Sequence, residues 1–358
     1  MKIVLILPSL SSGGLEKVIT ELAWYFSRQK NIQVYLISLS RGEFFYHLPQ
    51  NIEKLMPQFS LKEMLRPFFL IRLFFWLRRK VRKIKPDSLL SFGGKFNSFV
   101  ILSLFGLHVP VFISDRSRPS ISYGKFLDWL NQKEKKNAAG IIAQTEKAKR
   151  ILFQRTGHKN ISVIGNPLRI SSKDKDARNK IILNVGRFIP SKKQALLLNY
   201  FARINPEGWK LCFIGDGVTL NEVKDTASEM GLNDKVTFCG EVNNVEEYYK
   251  GSSIFAFTSV SEGFPNALGE AMAAGLACIS FDCEAGPSDL ITDGINGFLV
   301  PEYDHDLYIQ RLESLIYNAE LREDFGRKAK DRISEFSFEQ IGKKYLEFFK
   351  RVADEDSD

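Results

Sequence analysis

Short apolar runs alternate with helical patterns along nearly the whole chain, and this alternation limits the possible folds more than any other feature of the sequence. The first cycle is typical: Lys2 to Pro8 is predicted to be a strand, Ser9 to Gly14 a loop, and Leu15 to Ser27 an amphipathic helix. The next strand is predicted at Gln33 to Leu39. Apolar strands separated by helices are typical of parallel sheets that are covered on both faces. The expected class is therefore α/β.

Two sets of such units are predicted. The remaining buried strands of the first set are expected at residues 88–92, 111–114, 140–143 and 162–164, and those of the second set at 181–185, 210–214, 235–238, 253–258 and 277–281. Residues 167–179 are polar and charged without periodicity, which indicates a linker between domains. With 358 residues, we predict two doubly wound, Rossmann-like domains, residues 1–166 and 180–335.

Composition places the chain among soluble globular proteins, since 44% of its residues are hydrophobic and 26% are charged. It contains no run of about 18 apolar residues, and its amino-terminal strand is too short and too weakly basic for a signal peptide. We therefore expect a cytoplasmic protein. The four cysteines show no CxxC spacing and are expected to be free core thiols, and the four histidines are scattered. No metal site is predicted.

The net charge of +8 is concentrated in one segment, residues 61–85, which holds nine Lys or Arg residues and one Glu. The amino-terminal half of this segment is rich in Phe and Leu. A helix of this kind can lie on an anionic membrane surface. Its apolar residues also recur at helical spacing, as in a crossover helix packed on a sheet, and both interpretations stay open. Nucleic acid is the poorer explanation, because no DNA- or RNA-binding module is recognisable.

The richest motif is the run from Ser261 to Gly275, which contains two glutamates, Glu262 and Glu270. It follows a predicted buried strand, and we expect a loop at Glu262 to Pro265 and then a helix at Asn266 to Ala274. Asn266 is predicted to cap this helix and Gly275 to end it.

The start of that helix is predicted to bind phosphate, because the backbone N–H groups of Ala267, Leu268 and Gly269 have no acceptor within the helix. Glu262 and Glu270 would accept hydrogen bonds from sugar hydroxyls on either side. The motif thus predicts a nucleotide-sugar site. The alternative is a surface helix with two solvated acids.

A second candidate lies in the loop after the first strand of the second domain, from Gly186 to Lys192. Arg187 and Lys192 would bring a guanidinium fork and an ammonium group to one crevice, and both suit a diphosphate. Solvated surface charge is the alternative. In the first domain, Asp115 and Arg116 follow a predicted strand, and they are candidates for binding an acceptor or for forming an ion pair with each other.

The run from Ser261 to Gly275 resembles the signature of the family 4 glycosyltransferases, which are retaining enzymes with the GT-B fold. The resemblance covers nearly the whole chain. It implies that Glu262 contacts the donor sugar, that Glu270 contacts the ribose, and that Arg187 and Lys192 neutralise the departing diphosphate. We accordingly take Arg187, Lys192 and Glu262 as catalytic.

The resemblance also implies a set of donor-binding residues and some structural roles. The further donor-binding residues are Gly13, Gly14, Gly186, Val242, Gly263, Phe264, Pro265, Asn266, Ala267, Leu268 and Glu270. Ser11 to Gly14 would by itself be equally consistent with a tight turn, and the Gly-Asp-Gly run at 215–217 is expected to be a structural turn. Many relatives carry a histidine where this chain has Arg116. The last helix, residues 336–351, is implied to cross back to the first domain.

The implied reaction is transfer of a sugar from a nucleoside diphosphate donor, a UDP-hexose or UDP-N-acetylhexosamine, to a lipid-linked or oligosaccharide acceptor in surface glycan synthesis. No cofactor beyond the donor is expected, and no nucleic acid partner. Residues 61–85 would hold the protein on the inner face of the cell membrane. Two alternatives stay open: a UDP-sugar epimerase of the same fold, and a noncatalytic module that binds membranes or polyanions.

Overall fold

The computed structural model describes residues 1–10, 14–116, 122, 124–168 and 178–355. The chain divides into two compact units. Unit 1 consists of Met1–Pro167 together with Phe338–Asp358, and unit 2 is Leu168–Ser337. Each unit is built on its own parallel sheet, which confirms the predicted α/β class and the two Rossmann-like halves.

Unit 1 contains a seven-stranded parallel sheet with the order β3-β2-β1-β4-β5-β6-β7. The strands are β1 (Lys2–Leu7), β2 (Gln33–Ser38), β3 (Glu53–Leu55), β4 (Ser88–Phe92), β5 (Val111–Ser114), β6 (Gly140–Ala143) and β7 (Ile161–Val163). The helices are α1 (Gly14–Ser27), α2 (Arg66–Ile84), α3 (Gly94–Leu104), α4 (Lys125–Lys135), α5 (Glu146–Thr156) and, from the end of the chain, α13 (Phe338–Glu355). The strand order reverses between β1 and β4.

Unit 2 contains a six-stranded parallel sheet with the order β10-β9-β8-β11-β12-β13. The strands are β8 (Ile181–Val185), β9 (Lys210–Ile214), β10 (Val236–Phe238), β11 (Ile254–Phe257), β12 (Ala277–Asp282) and β13 (Phe298–Pro301). The helices are α6 (Gln194–Ile204), α7 (Leu220–Glu229), α8 (Val245–Gly251), α9 (Asn266–Ala273), α10 (Pro287–Leu290), α11 (His305–Tyr317) and α12 (Ala319–Ile333). Here the order reverses between β8 and β11, which places the loops after these two strands at the point where doubly wound sheets bind ligands.

Most predicted strands appear within one or two residues of their expected positions, because buried runs of Val, Ile, Leu and Phe mark them clearly. Two short strands were missed, Glu53–Leu55 and Phe298–Pro301. Both lie at sheet edges, where one side of a strand has no neighbour and a short segment carries little apolar pattern. The four cysteines are free thiols, as predicted.

The final helix α13 packs within unit 1. Its buried face includes Tyr345, Phe348 and Phe349. The ring of Phe349 lies 4.5 Å from that of Phe112 on β5 and 6.2 Å from that of Phe26 on α1. This aromatic packing explains why the carboxyl-terminal segment belongs to the first unit although it follows the second in sequence.

The helix α2 has one buried and one exposed face. Leu73, Leu77, Val81 and Ile84 are buried in the core of unit 1, as expected of a helix packed on a sheet. The opposite face is exposed and carries large apolar side chains. These are Phe68, Ile71 and Phe75, which are 64%, 56% and 64% exposed, together with Leu65 just before the helix.

The predicted linker, residues 167–179, is anchored at both ends. Leu168 is buried and its N–H donates to the Phe336 carbonyl, 2.8 Å away. Arg178 donates to the carbonyls of Tyr249 and Ser252 at 3.2 and 2.9 Å, so this residue is tied to unit 2. Residues 169–177 lie outside the part of the chain that the structure describes.

Candidate functional site

The loops that follow β8, β9 and β10 are tied together by backbone hydrogen bonds at the carboxyl edge of the second sheet. The N–H of Gly186 donates to the Ile214 carbonyl at 3.0 Å, and the N–H of Phe188 donates to the Asp216 carbonyl at 2.8 Å. The N–H of Gly215 donates to the Gly240 carbonyl at 2.8 Å. The backbone that carries Arg187 is thereby fixed at the topological switch point.

Two glycines make this approach possible. Gly215 and Gly217 have φ angles of 131° and 149°, and a Cβ atom on them would lie 2.1 Å from the Gly186 oxygen and 2.3 Å from the Phe188 oxygen. No side chain fits at those distances. The Gly-Asp-Gly run is therefore a structural turn, as predicted. Its backbone packs directly against the loop that carries Arg187.

The loop after β11 brings Glu262 to Lys192. The Val260 N–H donates to the Ser191 carbonyl at 2.9 Å, and the Thr258 hydroxyl donates to the Lys192 carbonyl at 3.0 Å. Across this junction the Lys192 ammonium forms an ion pair with Glu262 Oε1, and the two side chains are 18% and 10% exposed. The sequence analysis assigned Lys192 to the diphosphate and Glu262 to the donor sugar. In the structure the two side chains contact each other directly.

The ion pair leaves capacity for a ligand. An ammonium group has three donors and a carboxylate has two oxygens, so one bond between them leaves further N–H groups on Lys192 and an oxygen on Glu262. The Lys192 ammonium also lies 5.2 Å from the centre of the Phe257 ring, which favours a cation at that position. Burial and then the charge of Glu262 raise the pKa of the neighbouring Cys283 thiol to about 12, so this thiol is neutral.

Arg187 differs from Lys192 in its surroundings. Its side chain is exposed, and it forms no hydrogen bond or ion pair with any residue that the structure describes. Its backbone is held, because the Gln194 amide donates to the Arg187 carbonyl at 3.0 Å. The guanidinium can therefore turn toward an anion without first giving up an internal partner.

The helix α9 starts differently from the prediction. Asn266 is the first helical residue and Pro265 precedes it, so Asn266 is not the cap. The Pro265 carbonyl accepts the N–H of Gly269 at 3.0 Å, which removes Gly269 from the predicted group of unbonded N–H groups. Within the described part of the chain, the N–H groups of Ala267 and Leu268 have no hydrogen-bond acceptor. The physical reason is that a proline before a helix still supplies its carbonyl to the first turn.

The predicted end of this helix is confirmed. Gly275 has a φ of 74°, its N–H donates to the Met272 carbonyl at 2.9 Å, and the Leu276 N–H donates to the Ala271 carbonyl at 3.1 Å. These two bonds form a Schellman motif, in which the left-handed residue is usually glycine.

Several predicted donor-binding residues are packed within unit 2, and their role in donor binding stays a prediction. Phe264 is buried, and its ring lies 5.9 Å from that of Phe336. Pro265 packs so closely on Gly286 that a Cβ there would lie 2.3 Å from the proline Cδ. Val242 is half-buried in the same apolar cluster as Phe264 and Leu268. Gly263 lies beside Glu262 in this loop and is half-buried.

Glu270 is oriented by a residue that sequence reasoning missed, Tyr249 on α8. The Tyr249 hydroxyl is 3.2 Å from Glu270 Oε2 and 3.3 Å from the Ala267 carbonyl, so it bridges the first and second turns of α9. Burial, followed by the charge of Glu270, raises the pKa of Tyr249 well above its ordinary value. The only sequence signal for this contact is a tyrosine within a polar helix, and such tyrosines are too common to predict it.

In unit 1 the glycine loop is only partly described. Gly14 is the first residue of α1, and Gly13 lies outside the described residues. Two residues later, Glu16 is buried and accepts a hydrogen bond from the Ser9 hydroxyl. This buried carboxylate was also missed, although a glutamate in the first turn of a helix is a recognisable signal.

Asp115 and Arg116 do not form the ion pair with each other that was one of the predicted alternatives. Asp115 pairs with Lys135 and accepts a hydrogen bond from the Asn97 amide at 2.8 Å. Arg116 points elsewhere and donates to Asn166 and Tyr345. Both side chains are thus engaged in bonds within unit 1, and a role in acceptor binding stays a prediction.

Over residues 1–10, 14–116, 122, 124–168 and 178–355, no three His, Cys, Asp or Glu side chains are grouped so that they could hold a metal ion. Over the same residues, no helix has both the length and the apolar character needed to cross a membrane.

Comparison with known proteins identifies both units. The family model "Glycosyltransferase Family 4" matches residues 12–171, and the model "Glycosyl transferases group 1" matches residues 168–332. The chain is 27% identical to the amylovoran biosynthesis glycosyltransferase AmsD of Erwinia amylovora, over 96% of this chain and 98% of that protein.

A second relative is an α-1,4-N-acetyl-D-galactosaminyltransferase of Campylobacter jejuni, named for an undecaprenol diphosphate-linked saccharide. It is 25% identical over 98% of this chain and 99% of its own length.

Two solved structures share the fold over nearly the full length. The lipopolysaccharide outer core galactosyltransferase WaaB matches with a TM-score of 0.79 and 23% identity, covering 97% of this chain and 99% of its own. HepE of Anabaena in complex with UDP matches with a TM-score of 0.82 and 20% identity, covering 98% and 100%. Since the two family models together span residues 12–332 and the structural matches extend over both units, the chain belongs to the family 4 glycosyltransferases and has the GT-B fold.

Proposed function

We propose that this glycosyltransferase moves a sugar from a nucleoside diphosphate donor to a lipid-linked or oligosaccharide acceptor, with retention of the anomeric configuration and without a metal ion. Unit 2 binds the donor, a UDP-hexose or a UDP-N-acetylhexosamine. The observation that carries this proposal is the meeting of Lys192 and Glu262 beside the exposed Arg187 at the switch point of the second sheet.

The charges at this site suit a diphosphate next to a sugar. Arg187 and the remaining N–H groups of Lys192 stabilise negative charge on the departing phosphates, as a metal ion does in other enzymes. Glu262 accepts hydrogen bonds from sugar hydroxyls through its second oxygen. Glu270, held by Tyr249, is suited to the ribose hydroxyls.

Retention is proposed to occur by attack on the same face that the diphosphate leaves. Glu262 is a poor nucleophile while it is paired with Lys192, because the ammonium group withdraws charge from its carboxylate. The bond from the anomeric carbon to the phosphate oxygen breaks, and a bond to the acceptor oxygen forms. The acceptor proton passes to the departing phosphate oxygen, so the products are a glycoside and a nucleoside diphosphate.

The relatives support the acceptor class. The Campylobacter jejuni enzyme is named for an undecaprenol-linked saccharide, and the Erwinia amylovora enzyme for the synthesis of amylovoran. We therefore assign this chain to the assembly of bacterial surface glycans, on the cytoplasmic face of the cell membrane.

The donor assignment is tested by calorimetric titration with UDP, GDP and their sugar derivatives. We expect UDP to bind and Arg187→Met and Lys192→Met each to weaken its binding by about tenfold, which corresponds to about 1.4 kcal/mol for a charged hydrogen bond. Lys193→Met is the control, since this neighbouring lysine is exposed and makes no ion pair with a residue that the structure describes. Equal weakening by all three variants would argue against a specific diphosphate site.

The epimerase alternative is tested by identifying the products that the enzyme forms from a UDP-sugar. A transferase releases UDP in step with the glycosylated acceptor, whereas an epimerase that converts one UDP-sugar into another releases none. Formation of a second UDP-sugar without free UDP would overturn the assignment as a transferase.

A membrane surface is proposed as a partner through the exposed face of α2. Phe68, Ile71 and Phe75 follow one another on this face, and Arg79 and Arg82 continue it toward the end of the helix. Apolar side chains followed by basic ones match the acyl boundary and the anionic headgroups of a bilayer. Beside the basic end lies a cavity of about 380 Å³ whose lining includes Arg82, Lys85 and His108, which suits a phosphate headgroup.

This partner is tested by sedimentation with vesicles of phosphatidylglycerol and phosphatidylcholine. Arg79→Glu, Arg82→Glu and Lys83→Glu together should reduce binding to anionic vesicles by about 100-fold or more, since each basic group contributes about 1 kcal/mol. Phe68→Ser with Phe75→Ser should reduce binding to both kinds of vesicle. The control is Lys30→Glu with Lys210→Glu, two exposed lysines that are not part of α2. Unchanged binding of the α2 variants would contradict the proposal.

A further inference from the structure

The guanidinium of Arg116 is enclosed at the carboxyl end of β5. It lies over the Phe92 ring, 4.5 Å from its centre, and it donates from one terminal nitrogen to Asn166 Oδ1 and from the other to the Tyr345 hydroxyl. Its Nε atom is buried without a hydrogen-bond partner. Asn166 and Tyr345 are themselves buried, so water does not replace these contacts.

The two partners stand where the chain leaves unit 1 and where it returns. Unit 1 ends at Pro167, directly after Asn166, and resumes at Phe338, two helical turns before Tyr345. Asn166 is held further by the Gln144 amide, which donates to the same oxygen at 2.7 Å. The Arg116 side chain thus holds both the segment that leaves unit 1, at Asn166, and the helix that returns to it, at Tyr345, at the carboxyl end of β5.

The same two connections are also joined to each other on the side of unit 2. Leu168 and Ser337 form an isolated parallel bridge, and the Leu168 N–H donates to the Phe336 carbonyl at 2.8 Å. Leu168 is buried, and it packs so closely on α9 that a Cβ on Gly269 would lie 2.5 Å from its side chain. Asn166 and Leu168 are thus both held, with Pro167 alone between them, and Ser337 is held directly before α13 begins.

Arginine suits this position for a physical reason. Its planar fork reaches two acceptors in different directions at once, and its face stacks on an aromatic ring. Burial lowers the pKa of Arg116, and the nearby Tyr345 and Glu21 counter that effect. An enclosed cation with an unbonded Nε costs free energy, and the contacts of Arg116 with the two chain connections offset this cost.

We infer that Arg116 is a positioning residue: it clamps both chain connections to unit 1, so that any movement between the units bends the chain at Pro167–Leu168 and at Ser337–Phe338 and not within unit 1. This differs from the sequence-based prediction, in which Arg116 contacts the acceptor. The functional consequence rests on the proposed transfer reaction, but the clamp itself does not.

The two roles are separated by a double-mutant cycle of Arg116→Met, Tyr345→Phe and the combined variant. A clamp predicts faster amide hydrogen exchange in residues 338–350 for both single variants, and no further increase in the combined variant, because both changes break the same contact. Tyr308→Phe is the control, since it removes a buried tyrosine hydroxyl from unit 2. In the Arg116 and Tyr345 variants, amide hydrogen exchange in unit 2 and the affinity for UDP should not change.

Steady-state kinetics provide the second readout. The clamp predicts that Arg116→Met and Tyr345→Phe both lower kcat, the former by about tenfold, with acceptor KM altered less than about threefold, because positioning is lost and not a contact. If Arg116→Met raises acceptor KM tenfold or more while Tyr345→Phe has no effect and exchange is unchanged, the clamp is wrong. Should Arg116→Met not fold, Arg116→Lys, which keeps the charge but not the fork, takes its place. Hydrogen exchange needs no substrate, so failure to find any transfer would count against the proposed function and not against the clamp.

Discussion

The carboxyl edges of the two sheets carry similar residues but use them differently. At the second sheet, Lys192 and Glu262 form an ion pair with side chains 18% and 10% exposed, and at the first, Lys135 and Asp115 form one with side chains 12% and 20% exposed. Burial alone therefore does not tell a binding site from a structural contact. The difference lies in what surrounds each pair.

The pair in unit 2 joins the loops after β8 and β11, on either side of the point where the strand order reverses. Next to it stand an exposed arginine and a helix start with two unbonded N–H groups among the described residues. The pair in unit 1 joins a strand end to α4, and Asn97 occupies the other oxygen of Asp115. One arrangement leaves polar groups for a ligand, and the other uses them internally.

The largest expected effect tests this difference directly. Glu262→Gln should lower kcat by about 100-fold, because it removes the charge that holds Lys192 and accepts sugar hydroxyls. Asp115→Asn should lower kcat less than about threefold while reducing the free energy of unfolding by about 1–3 kcal/mol, since it leaves the largely buried Lys135 without its charge partner. The measurements are steady-state kinetics and urea unfolding. Similar losses of kcat in both variants would remove the distinction between the two edges.

A change in the backbone that supports the proposed donor site should have the next largest effect. Gly217→Ala should lower the free energy of unfolding by about 3 kcal/mol, because the new Cβ would meet the Phe188 oxygen at 2.3 Å and φ is positive. Gly231→Ala is the control, since its φ is 67° but nothing lies within 4 Å, and it should cost about 1 kcal/mol. Urea unfolding of both variants checks this. Equal losses would show that the loops after β8 and β9 are not held as closely as described.

The smallest effect is expected from the residue that orients Glu270. Tyr249→Phe removes a hydroxyl that bridges Glu270 and Ala267, and it should raise the KM for the donor by about two- to fivefold with little change in kcat. Donor KM is measured at saturating acceptor. A fall in kcat with unchanged KM would place Glu270 in the chemical step and not in ribose binding.

Much of the fold was predictable because its signals are local. Strands such as Ser88–Phe92, Val111–Ser114 and Lys210–Ile214 were predicted at their observed bounds, since each is a short run of apolar residues between helical patterns. The end of α9 was equally predictable, because a glycine in the left-handed conformation closes a Schellman motif. The start of α9 was not, since both Pro265 and Asn266 are acceptable before a helix.

The candidate site was predictable only as a set of residue types. Arg187, Lys192, Glu262 and Glu270 were recognised from their motifs, but no motif shows that Glu262 pairs with Lys192 or that Tyr249 holds Glu270. These contacts join residues separated by 70 and 21 positions. Such pairings depend on which strands become neighbours, and sequence periodicity carries no information about that.

The sequence by itself determined the α/β class, the alternation of strands and helices in two sets, and the presence of a motif that resembles the family 4 glycosyltransferase signature. These properties follow from hydrophobic period and from residue chemistry, which act over a few neighbours along the chain. Only the tertiary structure decided that Arg116 binds Asn166 and Tyr345 and not Asp115, and that one face of α2 is buried while Phe68 and Phe75 remain exposed. These outcomes depend on distances between segments far apart in sequence, which are set only when the sheets and helices pack together.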